Sequence, residues 1–209
     1  MKMPLTPTQT SGTLPILPAE IWLQILEHCA TDSLSHLWTT IRPLSHNHKA
    51  HVERIFKHTY IPTLALSLSL PRHDPKTNAL KYPFAIPYAE LNFAFDSFVV
   101  GTTDVVFASP REIATGDTMA ALKEKGSLTK ERLDDAMERG AWVCFGRSRA
   151  KGAAVMMPSC VCWDGQEKGW KITVDWMVLV SSLFEAKRTK AQRVFKERPA
   201  RKMVADWRR

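Results

Sequence analysis

The chain has 209 residues, 44% of them hydrophobic and 24% charged, a balance that lets a globular chain bury a core. No run approaches the ~18 apolar residues that span a bilayer, and the opening MKMPLTPTQTSGT lacks the apolar stretch of a secretory signal. The net charge of +8 belongs to one end: residues 186–209 hold ten basic side chains against Glu197 and Asp206, and residues 1–185 sum to zero. The basic pI is therefore no sign of a basic face on the folded body. Cys29, Cys144, Cys160 and Cys162 form no CxxC pair. Free thiols in a reducing cytoplasmic or nuclear compartment are expected, with no membrane partner.

Residues 1–13 are rich in Thr, Pro and Ser and are expected to be disordered. Leu17-Pro18-Ala19-Glu20 then opens a first helix. Proline suits the first turn, where its missing N–H would have no partner, and Glu20 complements the positive helix end. Ile21, Trp22, Ile25, Leu26 and Cys29 recur at helical spacing. Asp32 or Ser33 can cap a second helix, with Leu34, Leu37, Trp38 and Ile41 as its stripe. Pro43 ends it. A third helix, capped by Ser45 or Asn47, carries Val52, Ile55 and Phe56, and stops at Pro62.

There the period changes from 3.6 to 2. Leu64, Leu66, Leu68 and Leu70 alternate with Thr63, Ala65, Ser67 and Ser69 across Thr63–Leu70, a half-buried strand. Each leucine, once buried, contributes about 1.5–3 kcal/mol before entropy is subtracted. Further strands are predicted over Ala89–Phe98, Asp104–Ala108, Ala141–Phe145, Ala153–Met157, Cys160–Trp163 and Trp170–Trp176. Two short helices interrupt them, one capped by Asp117 and closed by Gly126, the other capped by Thr129 and closed by Gly140. Asp164-Gly165 begins a turn, and the chain turns helical again from about Met177 into the basic tail. Helices followed by strands favour an α+β fold: a helical unit over residues 14–60, a mostly antiparallel sheet with inserted short helices over 61–185, and a C-terminal helix running into the tail, 186–209.

Few residues suggest chemistry. Six of the seven histidines fall between His28 and His58, but no cysteine or carboxylate joins them at a ligand spacing, so a solvated helix face is expected and no metal. Cys160-x-Cys162 places two thiols on one face of a strand, without a second pair for metal or redox work. Gly146–Gly152 is a basic hairpin loop, lacking the GKS ending of a phosphate loop. It reads as surface, or as a contact for an acidic segment. No GxSxG or HExxH is present, and the neighbours Asp134 and Asp135 face different ways on a helix. No enzyme, catalytic residue or cofactor is expected.

The opening helices resemble an F-box. The residues that carry the resemblance are Leu17-Pro18-x-Glu20-Ile21, Ile25-Leu26, Ser33-Leu34-x-x-Leu37 and Ile55-Phe56, about a quarter of the chain. The string LPAEIWLQIL…SLSHLWTTIRPLSHNHKAHVERIF is similar to F-box segments of small filamentous-fungal proteins. Where many F-boxes carry Val-Cys near the start of the third helix, this chain has Pro43-Leu44-Ser45, with roughly His48 where a bulky aromatic is common. The resemblance implies a non-enzymatic adaptor that docks on the Skp adaptor, and through it a cullin, while the rest of the chain recruits a protein substrate for ubiquitin transfer. It implies a docking face of Leu17, Pro18, Ile21, Ile25, Leu34 and Leu37. A three-helix unit of this size cannot bury all its own apolar surface, which agrees. The alternative is a structural or nuclear protein that contacts nucleic acid through the basic tail, the helices serving only as core.

Overall fold

Pro18 opens α1 (Ala19–Ala30), with Glu20 in its first turn. The computed structural model describes residues 18–30, 33–74, 76–86, 89–146 and 152–196. The predicted disordered start, the basic loop at 147–151 and the end of the tail lie outside them. Ser33 caps α2 (Leu34–His36), accepting the His36 N–H at 3.2 Å. This helix runs on through a π-helical turn, Leu37–Ile41, and a 3-10 turn, Arg42–Leu44, in which Pro43 halts it. Of the two candidate caps of α3 (His46–Ile55), Ser45 serves, accepting the His48 N–H. A π turn, Phe56–Tyr60, and a 3-10 turn, Ile61–Thr63, complete the unit.

Seven strands follow, β1 (Leu64–Ser69), β2 (Glu90–Phe98), β3 (Asp104–Ala108), β4 (Ala141–Phe145), β5 (Ala153–Val155), β6 (Cys160–Asp164) and β7 (Gly169–Asp175). They form one sheet in the order β5-β4-β1-β2-β3-β7-β6, every neighbour antiparallel. Between β3 and β4 lie α4 (Met119–Glu124) and α5 (Lys130–Glu138), and α6 (Trp176–Lys196) follows β7. The fold is α+β. Two sequence details differ. Thr118, not Asp117, caps α4, because Asp117 is drawn to Lys125 at 3.2 Å and to Thr115. Trp176 begins α6 instead of ending β7, since Asp175 accepts the N–H groups of Met177 and Val178 and turns the chain.

The register assigns the two faces. Leu66 lies opposite Phe93 and Val143, and Phe107 opposite Ile172, so the leucines of β1 share a face with these side chains, all buried. Helices cover that face: α5 packs on β1 and β6, α6 on β5 and β7, α4 on β7. The N-terminal helices join the same core through Leu37, Trp38, Val52, Ile55, Phe56 and Ile61. No described helix is long and apolar enough to cross a membrane.

Candidate docking surface on the N-terminal helices

Helix α1 divides its apolar side chains between two jobs. Leu26 is buried, and Trp22 meets the ring of His48 edge-on at 5.0 Å, tying α1 to α3. Ile21 and Ile25, one turn apart, are 39% and 40% exposed, and Pro18 is exposed at the helix start. Leu34 is half-buried against the core. Leu37 is the exception among the residues implied to dock. It is fully buried, because the π turn rolls it toward the sheet side, and it serves the core. Leu17 lies outside the described residues. One side chain was missed. Leu44 is 64% exposed in the tight turn after Pro43, and its signal was that proline, which ends the helix and lifts the next residue out of it.

The exposed isoleucines sit on a unit that is fixed from behind. The Trp38 indole donates to Ser181 Oγ of α6 at 3.0 Å and meets the rings of Phe56 at 4.8 Å and Trp176 at 5.7 Å, both at a tilt. Phe56 in turn meets Phe184 at 6.1 Å and Phe145 at 6.3 Å. On the other side of Trp38, the Arg42 guanidinium stacks at 4.3 Å and bonds Glu53 Oε1 through Nε at 2.8 Å and a terminal nitrogen at 2.6 Å. Apolar packing, a cation stacked on a ring and an ion pair all hold the second and third helices in register. The exposed isoleucines of α1 therefore stand on a unit braced from behind.

The remaining constellations stay apart. Among the described residues no three His, Cys, Asp or Glu side chains converge as metal ligands. Cys160 and Cys162 are exposed on β6. Asp135 is taken by Lys81 and by the Tyr82 hydroxyl, so it has no partner acid in Asp134. Lys171 is enclosed by Asp164 at 3.0 Å, Glu167 at 3.1 Å and Asp96 at 3.5 Å, which raises its pKa. These are the contacts of a hairpin brace, with Lys171 compensated on all sides. Comparison with known protein families, characterised proteins and solved structures returned no match for this chain.

Proposed function

We propose that the chain is a substrate-recruiting adaptor of a Skp–cullin–F-box ubiquitin ligase, docking on the Skp adaptor through Pro18, Ile21, Ile25 and Leu44, with Leu17 and Leu34 alongside. The observation that carries this reading is the pair Ile21 and Ile25, left on the outside of a helix whose other face is anchored to the core. Apolar side chains held out from a rigid helix are the usual anchors of a protein interface. The F-box-like string supplies the identity of the partner. The chain itself performs no chemistry in this role; transfer of ubiquitin belongs to other subunits.

Copurification with the Skp adaptor tests it. The wild-type chain is expected to bind, and the double variant Ile21→Asp, Ile25→Asp to bind at least tenfold more weakly with an unchanged melting temperature. Interface anchors at about 2 kcal/mol each allow a loss of that size. Absence of wild-type binding, or equal binding by the folded double variant, sinks the proposal.

A further inference from the structure

One outer edge of the sheet carries a pair of free thiols. β6 is the last strand in the order and pairs with β7 alone among the described strands. Cys160 and Cys162 are both exposed, while Val161 between them is 3% exposed. The two thiols therefore stand on one face of the strand and the valine on the other. Neither thiol is engaged by another described residue. The Cys144 thiol, by contrast, is buried and donates to the Gly146 carbonyl at 3.6 Å.

The strand holds the pair at a fixed spacing. Every residue of β6 pairs with β7, from Cys160 opposite Thr173 to Asp164 opposite Gly169. Asp164 accepts the N–H groups of Gln166 at 2.8 Å and Glu167 at 3.1 Å, which fixes the turn, and Lys171 ties Asp164 to Glu167 across it. Residues two apart on a strand lie about 6.7 Å from each other. A disulfide needs its β-carbons within about 3.5–4.5 Å, so the pair cannot close on itself while β6 stays in the sheet. An ion between the sulfurs demands less. With metal–sulfur bonds of about 2.3 Å a linear unit spans about 4.6 Å, and two side chains leaning together by about 1 Å each reach it.

We propose that Cys160 and Cys162 bind one copper(I) ion between them as a two-coordinate bis-thiolate. The ligand count selects the metal. Among the described residues no third His, Cys, Asp or Glu converges with the pair, and structural zinc takes four ligands. Asp164, next on the same face, offers hard oxygen and is held by Lys171 at 3.0 Å. Copper(I) is soft, prefers thiolate and is satisfied by two of them. Each thiol gives up its proton on binding, so two protons leave and the loaded site carries one negative charge. Because both sulfurs are exposed at the sheet edge, an incoming thiol can join the ion and take it away. The ion is thus exchangeable and does not hold the fold together. The site stands independently of the ligase reading.

The test uses the full chain, reduced and kept free of oxygen, titrated with copper(I) in competition with the chromophoric chelator bicinchoninate. Wild type is expected to withhold one ion per chain, and X-ray absorption at the copper edge to show two sulfur neighbours. Cys160→Ser and Cys162→Ser, each folded by its unchanged melting temperature, are expected to weaken binding by about a hundredfold or more, the upper end of what losing even a supporting partner of a metal ligand costs. Cys29→Ser is expected to keep wild-type affinity. Zinc(II), offered to the chain against a zinc-sensitive dye, is expected to stay with the dye. Release of all the copper to the chelator by wild type, undiminished retention in either Cys160→Ser or Cys162→Ser, or loss of retention in Cys29→Ser overturns the proposal. So does a stoichiometry of half an ion per chain, which would mean four thiols shared between two copies.

Discussion

Arg132 is the one charged side chain buried among the described residues, 2% exposed in the first turn of α5. Its terminal nitrogens donate to the carbonyls of Phe84 at 3.0 Å, Ser127 at 2.5 Å and Leu70 at 3.0 Å, and its guanidinium lies 5.0 Å from the Tyr82 ring centroid. Carbonyls at three places along the chain, Leu70, Phe84 and Ser127, are joined by one fork. Arg132→Met would keep much of the volume and leave the buried carbonyls of Ser127 and Leu70, and the half-buried one of Phe84, without this donor. A loss of about 2–4 kcal/mol is expected. Arg132→Lys should lose nearly as much, because one ammonium on a flexible stem cannot reproduce the planar fork. Urea denaturation measures both, and a loss under about 1 kcal/mol would show the fork to be dispensable. Nothing in the sequence marks this arginine, since a single basic residue on a helix reads as solvated until the loops that surround it are placed. Leu37 shows the same limit. Its spacing marks an apolar stripe, but core and docking faces have one periodicity, and the π turn that rolls it inward leaves no trace in composition.

The loop over residues 71–86 is held by a series of polar contacts. Arg72 donates to the Tyr82 carbonyl at 3.4 Å and to that of Pro83 at 2.5 Å, while Asp74 accepts the N–H groups of Lys76 at 2.7 Å and Thr77 at 3.1 Å. Its outer end reaches α5 through Lys81 and Tyr82, both on Asp135. The Lys81 ammonium, then the Tyr82 hydroxyl, hold the Asp135 carboxyl below its ordinary value. A depressed carboxyl stabilises the folded form fully above its unfolded pKa of about 3.9, and that gain is lost as pH falls through the lower folded value. Asp135→Asn should therefore speed amide exchange over residues 72–82 at pH 7, and the gap from wild type should close as acidification protonates the Asp135 carboxyl. A gap constant from pH 7 to pH 2 would place the anchor elsewhere. At this scale most of the fold was legible. The switch from period 3.6 to period 2 after Pro62 located β1, and threonine caps located α5. Sheet order was not, because β1 pairs with β4 across some eighty intervening positions whose hydrophobic pattern sets the face of each strand and not its neighbour.

Over the whole molecule, the helical unit and the sheet have one core, not two. Trp38 and Phe56 are 4% and 0% exposed, and the rings they touch, Trp176, Phe184 and Phe145, belong to α6 and β4. This joint holds the isoleucines of α1 in a fixed orientation to the sheet, as the proposed adaptor role would require. It also makes the two parts thermodynamically inseparable. Truncating either aromatic to alanine should cost about 3–5 kcal/mol, a large share of the 5–15 kcal/mol that holds a typical domain together. A chain starting at Leu64 would leave the apolar ends of α6 and β4 uncovered, and it is expected to show no cooperative unfolding. For the complete chain, helix content by circular dichroism and tryptophan fluorescence should report one coincident urea transition, and Phe56→Ala should move both by the same amount. Two separated transitions, with only the fluorescence responding to Phe56→Ala, would mean that the helices fold as their own domain and that the adaptor face is free to swing.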